Sequence, residues 1–188
     1  MLYMNATSLT RKKDWLNIGI ATPSFDYHQM ASNTVTTPSW IHFGAGNIFR
    51  GFIANLQQQL LDGGKARTGI IAAETFDYDI IDQIYRPYDN LTLLVSLKPD
   101  GTTDKKIIAS IAESIKANTS DADAVRRLTD IFTNPSLQMV SFTITEKGYA
   151  LSNMKGDFLP VIQRDLTVDP EQSKHIMGLL EWTPLGIH

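Results

Sequence analysis

The chain of 188 residues is 43% hydrophobic and 20% charged, the balance of a globular protein with room for one domain and a substantial core. Its formal net charge of −3 excludes a broad basic surface for nucleic acid, and no apolar run nears the ~20 residues of a membrane span. With no cysteine, disulfides and thiolate metal sites are excluded, and a reducing, cytoplasmic setting is expected.

Residues 1–37 mix basic and apolar positions with a Thr-, Ser- and Asn-rich stretch ending at Pro38, and read as an arm leading into the domain. The apolar run at 40–43 predicts a buried strand. It breaks at Gly44 and Gly46 and restarts with helical periodicity over 48–62, where Ile48, Phe52, Leu56 and Leu60 recur four apart on one face. Gly63 and Gly64 stop that helix. A second strand over 68–75 carries Ile70, Ile71, Ala72 and Ala73, a run suited to a sheet covered on both faces, and completes a βαβ unit.

A short helix over 77–85 is followed by a turn at Asp89 and Asn90 and a third strand over 91–97. A tight turn at 98–101 and a strand over 105–111 then make an antiparallel hairpin. Asp121 begins a helix whose Ala124, Val125, Leu128, Ile131 and Phe132 face inward, stopped near Asn134 and Pro135; the next strand spans 138–145. The expected fold is α/β and Rossmann-like, a mostly parallel sheet flanked by helices with one antiparallel hairpin. The expected division is an arm over 1–37 and a dinucleotide-binding domain over 38–188, with 151–188 a divergent or truncated tail.

Gly44 lets the chain turn sharply at a strand end, and Gly46 removes a Cβ that would hold a pyrophosphate away from the backbone. Phosphate then meets the free N–H groups and positive dipole end of the following helix. Phe49 stands where the GxGxxG pattern has its third glycine, so the local pattern alone also fits an ordinary glycine turn. Glu74 and Asp77, at the end of the second strand, are candidates to bind the adenine ribose or to cap the next helix. Glu74 lies 30 residues after Gly44, later than the usual ~20. An acid here favours NAD over NADP by repelling a 2′-phosphate.

The segment SFTITEKGY over 141–149 is the other distinctive stretch. If its strand is parallel to the first, Thr145, Glu146 and Lys147 fall at the ligand edge of the sheet; otherwise Glu146 and Lys147 read as a solvated pair in a turn. The four histidines lack metal-site spacing, so no metal is expected, and His42, on a buried strand, reads as a core histidine. No GxSxG elbow supports hydrolase chemistry.

With these segments in hand, the chain resembles the N-terminal domain of the polyol-specific long-chain dehydrogenases, the mannitol dehydrogenase and fructuronate reductase family. The resemblance rests on PSFD at 23–26, HFGAGNIFRGF at 42–52, ETFD at 74–77, DNLTL at 89–93 and, most specifically, SFTITEKGY at 141–149. It implies hydride transfer between NAD or NADP and a sugar alcohol or hexuronate, without zinc. It implies that Gly44, Gly46 and Asn47 hold the pyrophosphate, with Phe49 and Arg50 completing the loop, and that Glu146 borders the active site as a proton relay. Family members run to more than twice this length and carry a catalytic lysine in a helical C-terminal domain. That domain and its lysine are expected to be absent from this chain, and Lys147 is no substitute.

The implied partners are a small-molecule polyol or hexuronate substrate, with no nucleic acid and no membrane. Two alternatives stay open: a methyltransferase using S-adenosylmethionine, which shares the glycine turn and the acid, and a non-catalytic stub acting by self-association.

Overall fold

The computed structural model describes residues 2–143, 150–168 and 172–174. Four parallel strands carry the architecture: β2 (Trp40–Phe43), β3 (Ile70–Glu74), β6 (Ile111–Lys116) and β7 (Met139–Phe142), in the order β6-β3-β2-β7. Every residue of β3 is buried, as its unbroken apolar run requires of a central parallel strand. Because side chains alternate across a strand, Ile71 and Ala73 pack with Ile41 and Phe43 on one face, while Ile70 and Ala72 pack on the other. The first face is covered by α4 (Ala122–Phe132), which buries Leu128, Ile131 and Phe132 and starts where the Asp121 carboxylate accepts from the N–H groups of Asp123 and Ala124.

The second face is covered by the helix that follows the glycine turn. It begins as a π-helical stretch, Phe49–Ile53, and continues as α3 (Ala54–Asp62). The stripe of Ile48, Phe52, Leu56 and Leu60 does share one side, but it is the outer side, with exposures between 44% and 69%. The buried side carries Phe49, Ala54, Gln57, Gln58 and Leu61. Two glutamines lie inward because they satisfy backbone that the sheets leave unpaired. Gln57 Nε2 donates to the Thr68 carbonyl at 2.7 Å, whereas Gln58 donates to the Ile107 carbonyl at 2.8 Å and accepts from the Ala109 N–H at 2.6 Å.

Gln58 therefore stitches a break that periodicity does not reveal. The strand expected over 105–111 ends at Ile108 as β5 (Thr103–Ile108), and a separate strand, β6, starts at Ile111. β5 pairs antiparallel with β4 (Thr92–Leu97), the expected hairpin, and parallel with β1 (Ile20–Ala21) in a second sheet of order β1-β5-β4. Residues read as a leading arm thus supply a strand. They also supply α1 (Lys12–Asn17), whose Trp15 is buried with Leu9, Leu91 and Ile107, and α2 (Tyr27–Thr36), capped by Asp26. A short α5 (Pro160–Asp165) follows β7. Among the described residues no helix is long and apolar enough to cross a membrane.

Candidate cofactor-binding site

The chain runs from β2 to β3 and β6 on one side, then returns to β7 on the other side of β2. In such sheets ligands bind beyond the carboxyl ends of the strands where the order reverses, and here that point is the end of β2. The residues at this point are Gly44, Ala45, Gly46 and Asn47.

The two glycines serve different purposes. Gly44 has φ +102°, and a Cβ there would lie 2.7 Å from the Thr143 carbonyl oxygen and 2.9 Å from Thr143 Oγ1. Its lack of a side chain is what lets the chain after β7 lie against the turn. Gly46 has no positive φ, and among the described residues a Cβ built on it meets nothing within 4 Å. No contact among the described residues requires glycine there, which suits a group that approaches from outside.

Three side chains hold the turn. Glu74 Oε2 accepts from the Ala45 N–H at 2.8 Å, and Oε1 accepts from the N–H groups of Thr75 and Phe76 at 2.9 and 3.0 Å. The Tyr85 hydroxyl donates to the Ala45 carbonyl at 2.8 Å. Burial, with Glu74 nearby, pushes the Tyr85 pKa well above its ordinary value against the pull of Arg50, so the phenol remains a donor. Thr143 Oγ1 lies 3.2 Å from the Gly44 carbonyl. In a trans peptide the C=O and N–H point in opposite directions, so anchoring the Ala45 carbonyl on Tyr85 turns the Gly46 N–H to the other side. The Gly46 carbonyl accepts the first helical bond, from Arg50 N at 3.1 Å. The N–H groups of the first turn beyond it have no intrahelical partner.

Asn47 is exposed beside Gly46, and its side-chain oxygen accepts from the Arg50 guanidinium. That guanidinium lies 5.9 Å above the Tyr85 ring, and Arg50 Nε is buried without a hydrogen-bond partner among the described residues. Phe49, expected to complete the loop, has its ring fully buried and stacked on His42 at 4.3 Å, beneath the turn. Glu74 is likewise committed, joining the turn to the loop after β3, whereas Asp77 in that loop is exposed. Glu146 lies outside the described residues, although β7 before it is parallel to β2 as that placement required.

His42, Tyr85 and Thr143 were not anticipated as supports of the turn. Their partners are 40 to 101 residues away in sequence, and no local spacing announces them. Burial lowers the His42 pKa to about 4, so the ring is neutral at pH 7. Among the described residues no group of three or more His, Asp or Glu side chains could hold a metal ion.

No protein-family model matches the chain. A D-mannonate oxidoreductase of Thermotoga maritima is 45% identical over 175 residues, covering 93% of this chain and 32% of that protein. A D-mannonate oxidoreductase of Escherichia coli is 26% identical over 170 residues, covering 87% and 32%. Among solved structures, the Pseudomonas fluorescens mannitol 2-dehydrogenase, in a ternary complex with NAD and D-mannitol, matches with a TM-score of 0.74 and 25% identity over 95% of this chain and 34% of that one. The chain spans about a third of the length of the relatives it matches. The resemblance read from the sequence is thereby borne out: over nearly its whole length this chain is a Rossmann-like segment of the mannonate oxidoreductase and mannitol dehydrogenase family.

Proposed function

We propose that this chain forms the cofactor-binding part of an NAD-type oxidoreductase acting on a sugar alcohol or hexuronate. The observation that carries the reading is Gly46: an exposed glycine at the reversal point of a parallel sheet, with no described residue within 4 Å of where its side chain would begin. The relatives' names support the substrate class, and the NAD in the mannitol 2-dehydrogenase complex supports the cofactor.

The residues present fit such a group. The N–H of Gly46 and those of the first helical turn would receive the pyrophosphate, flanked by the Asn47 amide and the Arg50 guanidinium. Asp77, exposed beyond β3, would accept from the adenine ribose and disfavour a 2′-phosphate, so NAD is preferred to NADP. When bound, the nicotinamide supplies the hydride-transfer chemistry. A proton-relay role for Glu146, a substrate domain beyond the matched third, and a cytoplasmic setting follow the family resemblance and the absence of cysteine.

Calorimetric titration of the 188-residue chain with NADH, NADPH and S-adenosylhomocysteine tests the reading. NADH binding stronger than NADPH binding is expected. No binding of either nicotinamide at millimolar concentration overturns it, as does preferential binding of S-adenosylhomocysteine.

A further inference from the structure

The geometry points to His42 as a positioning residue: held as its neutral Nε2–H tautomer, it directs the Thr143 hydroxyl onto the Gly44 carbonyl and so fixes the Gly44–Ala45 peptide of the turn.

The hydrogens can be placed by elimination. The Gly44 carbonyl only accepts, so Thr143 Oγ1 at 3.2 Å must donate its single hydrogen to it. With that hydrogen used, Thr143 Oγ1 accepts from His42 Nε2 at 3.0 Å. A neutral imidazole has one N–H, so His42 Nδ1 accepts the hydrogen of Ser141 Oγ at 2.7 Å. Ser141 Oγ in turn accepts from the indole N–H of Trp40, also at 2.7 Å. The chain Trp40, Ser141, His42, Thr143, Gly44 then uses each donor once and ends on a backbone acceptor. The reverse tautomer would aim a lone pair at Thr143, draw its hydrogen away and leave the Gly44 carbonyl without that bond.

The ring is in a position to enforce this. His42 is fully buried, and Phe49 stacks on it with an interplanar angle of 6°, which fixes the ring plane. At the far end, the Gly44 carbonyl and the Ala45 N–H belong to one peptide unit. Thr143 holds its oxygen and Glu74 holds its nitrogen. That peptide follows a glycine at φ +102°, whose missing Cβ places little restraint of its own on the backbone. Its orientation therefore depends on these two bonds, and with it the direction in which the next N–H groups face.

The consequence for affinity rests on the reading of the turn as a cofactor site, so the test separates the two. Long-range nitrogen–proton NMR of the 188-residue chain at pH 7 reads the His42 tautomer. Hydrogen exchange reads the Ala45 amide, and titration reads NADH affinity in the wild type, Thr143→Val and Thr143→Ser. The expected result is the Nε2–H tautomer in the wild type. In Thr143→Val, about tenfold faster Ala45 exchange and about tenfold weaker NADH binding by the folded protein are expected, with Thr143→Ser restoring both. A purely structural role would lower the melting temperature of Thr143→Val and leave the folded protein's affinity unchanged. An Nδ1–H tautomer, or Ala45 exchange in Thr143→Val equal to that of the wild type, overturns the proposal. Loss of NADH binding by the wild type itself overturns the cofactor reading instead, and the tautomer and exchange data still decide the geometry. If Thr143→Val does not fold, the wild-type tautomer decides alone.

Discussion

Gly44 and Gly46 are separated by a single residue, yet one faces inward on Thr143, just after β7, and the other faces none of the described residues. At Gly44 the protein's own backbone occupies the place of a side chain; at Gly46 none of the described residues does. Two glycines in one turn can thus answer to different demands, the first to folding and the second to whatever the turn receives. The inner half is bound by Thr143, Glu74 and Tyr85, all buried or partly buried, while the outer half presents Gly46 and Asn47 to solvent.

The largest effect that would break this contrast is expected at the inner glycine. Gly44→Ala forces a left-handed backbone on an L-residue and drives its Cβ into the Thr143 carbonyl, so urea unfolding should show a loss of about 3–5 kcal/mol. The next effect is one of pH and also belongs to the inner half. The His42 pKa is lowered to about 4 by burial, below its ordinary 6.5. Above pH 6.5 both folded and unfolded states hold it neutral and its contribution is complete. As pH falls from 6.5 towards 4 the unfolded state takes the proton first, and stability declines by on the order of 2–3 kcal/mol. Unfolding curves of wild type and His42→Gln across that range should converge as pH falls. The smallest effect is expected on the outer side of α3, where Phe52→Ser and Leu56→Ser each remove exposed apolar surface and should change stability by less than about 0.5 kcal/mol in the same assay.

The same division between inside and outside explains how much could be read from the sequence. β2, β3 and α4 were legible because their apolar residues coincide with burial, and the hairpin because strand-forming residues flank a tight turn at 98–101, although its Leu93, Val95 and Leu97 are exposed. The helix after the glycine turn was legible in position but not in orientation. Its regular stripe of Ile48, Phe52, Leu56 and Leu60 is exposed, and Gln57 and Gln58 are buried because distant backbone groups at Thr68, Ile107 and Ala109 need partners. β6 escaped for a related reason: the boundary at Ala109 and Ser110 is set by Gln58 and by a bond from Ser110 to the Ala54 carbonyl, neither of them local.

At the site, Gly44 follows β2 and Glu74 ends β3, as the apolar runs before them predict. Glu74, read as a ribose ligand or a helix cap, binds backbone in this structure: its carboxylate accepts from the Ala45, Thr75 and Phe76 N–H groups. The polar chain through Trp40, Ser141, His42 and Thr143 joins two strands about a hundred residues apart and becomes visible only once β2 and β7 are paired. Phe49, the residue that spoils a GxGxxG pattern, is the flat surface on which that histidine rests.

The most direct test of the central claim is Gly46→Val, titrated with NADH and unfolded in urea beside the wild type. A Cβ at this position meets no atom of the described residues, so stability should remain within about 1 kcal/mol of the wild type while NADH binding, present in the wild type, is lost. Undiminished NADH binding by a folded Gly46→Val protein would contradict the assignment of this turn to the cofactor.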